Sequence, residues 1–281
     1  MKLAYQIDGH DTIVNTDPDL EFTTGNAGVL SSQYEDLALD QPWGTAGYTI
    51  MSFDSVFSIL DVKRDITQIL RTVIAELSPS VDLTGFTLET YHHFVDDEMH
   101  YKVIQKTRRL YPKDFGIDEQ RMVDFLGGEL NASLGYFNPT TQMNQWIIVR
   151  INKPNSIGYN PVHKDIYESY DSLGEIPRMI NVWIPICGVE GRTGLPIAPG
   201  SHLVPEDQIA RTKAGSIMEG QKYSVNCIQT WGDSANLKTM APNYGDMLVF
   251  SSHLIHGLAK NYHPDTTRIS LEFRLYQQIE S

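Results

Sequence analysis

The spacing of hydrophobic residues in the N-terminal half of the chain is mainly helical. From Ser52 onward the apolar residues recur at a helical period, and Pro79 ends the run, which predicts one or two helices with a buried stripe. Residues 88–110 are predicted as a second helical segment, and residues 118–130 as a third, bounded by Gly127-Gly128. The first fifty residues, apart from a short alternating stretch, are expected to form an irregular lead-in.

After residue 144 the pattern changes to short β-branched and aromatic runs separated by Gly, Pro and Asn. Five such runs are predicted strands: WIIVRI, RMINVWIPI, LPIA, DMLVF and ISLEFRLY. Helices followed by strands, without regular alternation, favour an antiparallel sandwich with helices packed outside over a doubly wound parallel sheet. We expect one domain over residues 1–281, with an N-terminal elaboration over about 1–143 and a β core over about 144–278.

Composition and charge narrow the class of function. The chain has 281 residues, of which 41% are hydrophobic and 20% charged, so it can bury a sizeable core. Its 22 Lys and Arg against 35 Asp and Glu give a net charge of -13. Without a long basic run, nucleic acid is not an expected partner.

Neither a membrane nor a disulfide framework is expected. The start, MKLAYQIDGHDTIV, lacks the apolar core of a signal peptide, and no 18 consecutive residues are apolar, so we expect a cytoplasmic protein. Cys187 and Cys227 are too few for a disulfide framework and too far apart for a zinc-thiolate pair, and we expect both to be reduced and packed.

The segment NPVHKD contains the first candidate metal ligands. On an extended strand His163 and Asp165 point to the same face while Lys164 points away, so the imidazole and the carboxylate can converge on one ion. Alone, such a pair is more often a polar pair on a solvated strand edge. A metal site would need a third ligand from another strand.

The third ligand is predicted in GDMLVFSSHLIHGLAKN. Two residues three apart on a strand face opposite sides, so one of its two histidines can join His163. We choose His256, because Gly257 leaves room close to a metal, and expect His253, among serines, to face outward. Two imidazoles and one carboxylate form the facial triad that suits non-haem iron(II) oxygenases.

A candidate anchor for a second ligand follows in TTRISLEFRLY. Arg268 and Ser270 share one strand face, and a guanidinium can hold the far carboxylate of a dicarboxylate whose other end chelates the metal. Arg274 has the same strand parity and is a competing candidate. The Arg-x-Ser order and the separation from His256 favour Arg268.

Together these motifs resemble the iron(II)- and 2-oxoglutarate-dependent oxygenases, in particular the phytanoyl-CoA dioxygenase-like branch. The resemblance covers roughly residues 146–276. Besides the ligand and anchor motifs, it rests on TGLPIAPGSH ending at His202, on Gly245-Asp246 and on Asn261. The chain departs from the family pattern at Thr193-Gly194, where a polar residue is usual before the leucine, and its first 140 residues match nothing, so the identity of the substrate and the oligomeric state stay open.

The resemblance implies a double-stranded β-helix, a jelly roll of the cupin type, with iron at one mouth. It implies that His163, Asp165 and His256 hold iron(II) and that Arg268 and Ser270 hold 2-oxoglutarate. It also implies that Trp183 lines the co-substrate pocket. Dioxygen is then the second co-substrate, with ascorbate as an assisting reductant. The expected reaction hydroxylates an unactivated C–H bond of a small molecule and releases succinate and CO2.

Two other functions compete with hydroxylation. One is a catalytically silent cupin-like binding module. The other is a zinc hydrolase with the same three ligands, which would leave Arg268 and Ser270 without a task. The carboxylate Asp165 favours hydroxylation over halogenation, because related halogenases carry a small residue there, while desaturation and cyclisation stay possible.

Several other polar residues have a simpler interpretation. His202 is expected to tie down its loop by hydrogen bonding, and His92, His93 and His100 are expected to be solvated or capping residues, since nothing in the sequence completes a site around them. The acidic stretch DIYESYDSLGEIP, with Glu168, Asp171 and Glu175, is interpreted as a solvated loop. The competing hypothesis is a lid over the site that prefers a cationic or hydroxyl-rich substrate.

Overall fold

The structure is a computed structural model that describes residues 1–25, 36–156, 159–167, 169, 174–213 and 215–278. Three α-helices are described: α1 Ile59–Leu77, α2 Asp97–Lys106 and α3 Glu119–Leu130. The strands are β1 Lys2–Ile7, β2 His10–Asn15, β3 Tyr48–Ser52, β4 Leu134–Gly135, β5 Phe137–Asn138, β6 Met143–Asn144, β7 Ile148–Asn152, β8 Met179–Cys187, β9 Leu195–Ile197, β10 Ile209–Arg211, β11 Ser216–Met218, β12 Gln221–Tyr223, β13 Ile228–Trp231, β14 Asn236–Met240, β15 Asp246–Ser251 and β16 Arg268–Gln277.

The larger sheet is antiparallel and carries the strands nearest the candidate site. Its order is β3-β15-β8-β16, and both β7 and β4 pair with the outer side of β16. The long central strands β8 and β16 pair from Ile269 opposite Cys187 to Tyr276 opposite Met179, with one register shift after Ile269. The sheet therefore places successive residues of three neighbouring strands in defined rows.

The second sheet is shorter and continues through single bridges. Strands β2, β1, β14 and β9 form its regular part, in which only β1 and β14 are parallel. From β9 the hydrogen bonding continues through Ile197 opposite His256 and His256 opposite His163. The segment before His163 then meets β13, because the Ile228 amide donates to the Val162 carbonyl. Two facing sheets of this kind confirm the predicted fold: mainly β, a double-stranded β-helix with helices outside.

The two faces of β8 separate the helical core from the barrel interior. Val182 and Ile184 belong to the apolar cluster that also contains the buried residues of the helices. Trp183, between them, belongs instead to a smaller cluster with Ile197 and Leu254 of the second sheet. By strand parity, the even-numbered residues of β16 from Arg268 to Arg274 share this inner face.

The helices cover the outer face of the larger sheet, as predicted. Helix α3 matches its expected range of 118–130, whereas α1 is shorter than the predicted run from Ser52 to Pro79. Helix α1 begins after Ser58, whose side chain accepts from the Asp61 amide, and its buried stripe is Ile59, Val62, Ile66, Leu70 and Ile74. Helix α3 continues through Gly127-Gly128 to Leu130, and the following residue, Asn131, caps it in a left-handed conformation.

The predicted helix over 88–110 is the main error in the helical half. Only α2 is an α-helix there, beginning after the Asp96 cap, and residues 91–93 form a single 3-10 turn. Just before that turn, the Thr87 amide donates to the Thr90 hydroxyl and the Thr90 amide to the Thr87 hydroxyl. Short polar side chains compete with helical hydrogen bonds in this way, so the apolar period alone was misleading.

The predicted irregular lead-in is wrong for its first fifteen residues. Strands β1 and β2 form a hairpin from Lys2 opposite Asn15 to Ile7 opposite His10. The connecting Asp8-Gly9 pair has φ values of 51° and 78°, and Asp-Gly between alternating apolar residues is a strong hairpin signal. Strand β3 joins the larger sheet beside β15, so the expected boundary near 143 does not separate the core strands from the elaboration. The division into domains stays a prediction.

Two smaller expectations are also addressed by the structure. Cys187 and Cys227 are free and buried, as expected. Among the described residues, no helix combines the length and the apolar composition that crossing a bilayer requires.

Candidate metal centre

The two predicted histidine ligands are direct neighbours on adjacent segments of the second sheet. The His163 amide donates to the His256 carbonyl at 2.8 Å, and the His256 amide donates to the His163 carbonyl at 3.0 Å. Because facing residues of an antiparallel pair share a side, their rings lie together, with centroids 4.4 Å apart. The pairing brings residues 93 positions apart in sequence into contact.

A backbone carbonyl fixes the orientation of each ring. The Nδ1 atom of His163 lies 2.7 Å from the Pro161 carbonyl oxygen, and that of His256 lies 2.9 Å from the Leu254 carbonyl oxygen. A carbonyl oxygen only accepts, so in each neutral ring Nδ1 carries the proton and Nε2 offers a lone pair. Metal-binding histidines are commonly held in this way.

Asp165 completes the predicted triad. Its Oδ1 lies 3.5 Å from His163 Nε2 and its Oδ2 lies 3.7 Å from His256 Nε2, and all three candidate ligand atoms lie within 4.8 Å of one another. Ligand atoms about 2.1 Å from one ion at angles of roughly 90–120° are about 3.0–3.6 Å apart. Three lone-pair donors that face one another without a shared proton repel unless a cation lies between them, so the group has the spacing and chemistry of a metal site.

The protonation states agree with metal binding. Burial, together with the adjacent His163, lowers the pKa of His256 to about 4, so this imidazole is neutral near pH 7. Burial alone would raise the pKa of Asp165, but Arg274 and the two histidines hold it well below its ordinary value. The site therefore presents a neutral imidazole and an ionised carboxylate, as metal ligation requires.

Gly257 is needed next to the site for a different reason from the one predicted. Its φ is 146°, and a Cβ there would lie 2.2 Å from the Pro161 carbonyl oxygen. The glycine makes room for the backbone of the segment that carries His163, and not for the metal. It thereby lets the two ligand-bearing segments approach each other.

The prediction that His253 faces outward is wrong. Strand β15 ends at Ser251, so strand parity does not apply to the following turn. His253 is buried, and its amide donates to the Ser251 hydroxyl. His202 has the structural task predicted for it, since its Nε2 lies 2.8 Å from the Gly44 carbonyl oxygen.

Lys164, predicted to point away from the metal, does so into the protein and not into solvent. Its ammonium donates to Glu206 Oε1 at 3.2 Å, and both side chains are buried. The Tyr167 hydroxyl donates to the same carboxylate. The segment 163–165 is therefore enclosed on both faces, which excludes a solvated strand edge.

Arg268 lies on the inner face, deep in the barrel. Its Nε donates to the Thr193 carbonyl at 2.5 Å and its Nη1 to Asn152 Oδ1 at 2.8 Å, and its guanidinium lies 5.5 Å from the centroid of the Trp183 ring. Thr193 and Gly194, where the sequence departs from the family pattern, thus support this arginine. A Cβ on Gly194 would lie 2.1 Å from the Met240 carbonyl oxygen, so the close approach requires glycine.

Two buried polar atoms beside Arg268 fit an anionic ligand. Ser270 Oγ and Trp183 Nε1 have no hydrogen-bond partner among the described residues, although both side chains are fully buried. Buried polar atoms normally have partners, and two unpaired donors beside a buried guanidinium suit a carboxylate. The residues predicted to hold 2-oxoglutarate therefore fit its distal carboxylate.

Two polar residues at the site were not given this position from the sequence. Arg274 Nη2 donates to Asp165 Oδ1 at 2.6 Å, and Asn181 Nδ2 donates to Asp165 Oδ2 at 2.7 Å. Arg274 was considered only as a competing anchor, whereas it contacts the candidate metal ligand. The sequence indicates the strand face of Arg274 but does not indicate that its partner is Asp165.

A second cluster lies on the surface, contrary to the expectation that nothing completes a site there. Asp265 Oδ1 lies 2.9 Å from His92 Nε2 and 2.8 Å from His93 Nε2. His92 Nδ1 also contacts the Thr267 hydroxyl at 2.8 Å. These are direct hydrogen bonds to an exposed carboxylate, which account for the cluster without an ion.

The acidic stretch after Asp165 is only partly described. Glu168 and Asp171 lie outside the described residues, and Glu175 is exposed. The lid hypothesis stays a prediction.

A jelly roll with a two-histidine, one-carboxylate group and a buried arginine on the facing sheet is typical of non-haem metal enzymes that use a dicarboxylate co-substrate. Residues 73–269, well over half of the chain, match the family described as phytanoyl-CoA dioxygenase (PhyH). The match begins well before residue 146, so the expectation that the first 140 residues match nothing is wrong. The chain belongs to this family. The membership confirms the resemblance drawn from the motifs and, with a triad able to hold a metal ion, the predicted cofactors iron(II) and 2-oxoglutarate.

Several solved structures are similar to the chain. EctD from S. alaskensis, crystallised with 2-oxoglutarate and 5-hydroxyectoine, is 12% identical over 94% of this chain and 86% of that one, with a TM-score of 0.47. The apo non-heme monooxygenase ThoJ is 15% identical over 86% and 77%, with a TM-score of 0.48. The epimerase SnoN, in complex with Fe3+, alpha ketoglutarate and nogalamycin RO, is 11% identical over 88% and 84%, with a TM-score of 0.43. No curated protein matches the sequence.

Proposed function

We propose that the protein is an iron(II)- and 2-oxoglutarate-dependent dioxygenase that hydroxylates an unactivated C–H bond of a small molecule and releases succinate and CO2. The observation that carries the proposal is the convergence of three lone-pair donors, His163 Nε2, Asp165 and His256 Nε2, opposite the inner face of the larger sheet, which carries the buried Arg268. When bound, iron with 2-oxoglutarate and dioxygen supplies the oxidising power that a C–H bond demands.

Each group of residues has its own task in this proposal. His163, Asp165 and His256 hold the metal, and the carbonyls of Pro161 and Leu254 keep both imidazoles in the ligating tautomer. Arg268, Ser270 and Trp183 hold the distal carboxylate of 2-oxoglutarate and thereby orient its keto acid end. The buried surroundings exclude water from the reacting groups. Because the binding residues hold the reactants in fixed positions, less entropy is lost on reaching the transition state, and the activation barrier is lower.

Hydroxylation is favoured over halogenation because the carboxylate Asp165 is present and buried, with only 7% of its side chain exposed. Desaturation, cyclisation and epimerisation use the same cofactors. The mass of the product distinguishes them: hydroxylation adds one oxygen, desaturation and cyclisation remove two hydrogens, and epimerisation leaves the mass unchanged.

Two tests decide between turnover and the alternatives. Purified protein with iron(II), ascorbate and 2-oxoglutarate is expected to release succinate, and a screen of amino acids, aminated sugars, acyl thioesters and lipids is expected to find a compound that increases it. Asp165→Ala is expected to abolish the release, whereas Asp265→Ala, which removes an exposed aspartate, serves as the matched control. Release that is equal in Asp165→Ala and wild type contradicts the proposal.

The silent binding module and the zinc hydrolase give different results. A silent module releases no succinate under any of these conditions. A zinc hydrolase is active with zinc and without 2-oxoglutarate, and its activity is indifferent to Arg268→Met.

A further inference from the structure

Asp165 is held by two side chains from the larger sheet. Arg274 Nη2 donates to its Oδ1 at 2.6 Å and Asn181 Nδ2 donates to its Oδ2 at 2.7 Å, so each oxygen accepts one short hydrogen bond. Arg274 on β16 and Asn181 on β8 are direct partners in the strand register. One row of the sheet therefore contacts both oxygens of a single carboxylate.

The contact between Arg274 and Asp165 is specific, because another carboxylate lies closer along the strand. Glu272 is two residues before Arg274 on the same face, but its Oε2 accepts from Arg150 Nε at 2.8 Å. Arg150 lies on β7, opposite Ser270. The inner face thus carries two separate ion pairs, and the register of three strands assigns Arg274 to Asp165.

Arg274 and Arg268 serve different ends of the site. They are six residues apart on one strand, which is about 20 Å of strand length. Arg268 is fully buried and bonded to Asn152 and Thr193, whereas 29% of the Arg274 side chain is exposed. Arg274 therefore belongs to the metal-ligand end, near the mouth, and is not a second anchor for the distal carboxylate.

Arg274 could have either of two opposite effects on metal binding. As a cation beside Asp165 it could compete with a metal ion for the carboxylate. As a fixed donor it could instead hold the carboxylate in position. Among the contacts of the described residues, Arg274 donates to neither imidazole. It makes one hydrogen bond, to Oδ1 of Asp165. The Asp165 carboxylate therefore keeps lone pairs that face His163 and His256.

We propose that Arg274 and Asn181 are positioning residues of the metal centre, which fix Asp165 in the orientation in which its carboxylate faces both His163 and His256. This inference rests on the proposed function. Hydrogen-bonding partners of metal ligands commonly have this task.

The test measures Mn(II) binding, which needs no turnover, by following free Mn(II) in its electron paramagnetic resonance spectrum. Loss of such a partner typically weakens metal binding by about 10–100-fold, which is expected for Arg274→Met and Asn181→Leu, with an intermediate loss for Arg274→Lys. The double variant Arg150→Met with Glu272→Gln is the matched control, since it removes the neighbouring ion pair from the same face without leaving a carboxylate to compete for Arg274, and it is expected to bind as wild type does.

A second measurement separates positioning from general damage to the fold. At saturating iron(II) and 2-oxoglutarate without oxygen, Arg274→Lys and Asn181→Leu are expected to shift the visible absorption of the chelate, whereas the double variant Arg150→Met with Glu272→Gln leaves it unchanged. If Arg274→Met does not fold, as judged by circular dichroism, the Mn(II) affinities of Arg274→Lys and Asn181→Leu test the inference instead.

The outcomes have distinct meanings. Equal Mn(II) binding by the Arg274 and Asn181 variants overturns the inference, and tighter binding by the Arg274 variants would overturn it and make Arg274 a competitor of the metal. Wild-type protein that binds no Mn(II) and forms no chelate overturns the proposed function itself. If only the Arg274 and Asn181 variants bind Mn(II) more weakly and show an altered chelate spectrum, the result supports both the inference and the proposed function.

Discussion

The carbonyl oxygen of Pro161 occupies the position that a side chain on Gly257 would need. A Cβ on Gly257 would lie 2.2 Å from that oxygen, and the same carbonyl also holds Nδ1 of His163. One carbonyl thus sets both the approach of the two ligand-bearing segments and the tautomer of one ligand. The geometry of the candidate metal site therefore depends on backbone packing as much as on the candidate ligands.

Substituting Gly257 tests this packing. Gly257→Ala is expected to destabilise the protein by roughly 2–4 kcal/mol, because the clash with backbone adds to the strain of the residue's φ. It is also expected to weaken Mn(II) binding by separating His163 from His256. Urea unfolding and metal titration measure the two effects.

The control for that substitution is Gly9→Ala. Gly9 also has a positive φ, 78°, but a Cβ there meets nothing within 4 Å. It is expected to cost only about 1–2 kcal/mol and to leave metal binding intact. Equal effects of the two substitutions would show that strain, and not the contact with Pro161, is what matters.

Arg268 is expected to determine the affinity for 2-oxoglutarate and not for the metal. Arg268→Met should raise KM for 2-oxoglutarate about 100-fold, since charge-assisted hydrogen bonds contribute about 1.5–3 kcal/mol each, and Arg268→Lys should lose less. Mn(II) affinity should not change, and Arg64→Met, on an exposed helix face, should alter neither quantity. A loss of Mn(II) binding equal to the loss of 2-oxoglutarate binding would contradict the separation of the two tasks.

The buried pair of Lys164 and Glu206 is expected to matter for stability. Lys164→Met should destabilise the protein by about 3 kcal/mol, because it leaves the Glu206 carboxylate without its nearest buried cation. The double variant Lys164→Met with Glu206→Gln should recover part of the loss, since the amide needs no counter-ion. Free energies of urea unfolding check this, and a double variant less stable than Lys164→Met would refute the explanation.

The metal-free protein should lose stability in mild acid. Burial, with Lys164 and His202 nearby, lowers the pKa of His253 to about 3, so the folded protein resists a proton that the unfolded chain accepts near its ordinary value of 6.5. Stability is therefore complete above about pH 6.5 and falls as the pH drops towards 3. His253→Gln should reduce the slope of unfolding free energy against pH by about 1.4 kcal/mol per pH unit within this window. An unchanged slope in urea titrations at several pH values would mean that His253 is accessible to protons in the folded state.

The sequence predicts side chains that the structure brings together, the candidate ligands, because their signals are local. The alternation of His163 and Asp165 on a short extended segment is a two-residue pattern, and the parity of Arg268 and Ser270 on β16 is another. The Asp8-Gly9 pair is also a hairpin signal in the sequence, but it lies in a polar segment for which an irregular lead-in was expected.

The remaining features depend on how distant segments meet. His253 was misplaced because the end of β15 at Ser251 removes strand parity, and the chain alone does not mark that end. The contact of Arg274 with Asp165 depends on the register of β7, β8 and β16 and on Arg150 engaging Glu272. No pattern within one segment encodes such a relation.

The central claim is that His163, Asp165 and His256 hold one ferrous ion that 2-oxoglutarate can chelate. The most direct measurement is an oxygen-free titration of the protein with iron(II) and 2-oxoglutarate, followed by visible absorption. We predict a charge-transfer band that saturates at one equivalent of each and is absent in His163→Ala, Asp165→Ala and His256→Ala. A band of equal intensity in those three variants, or no band in wild type, would contradict the claim.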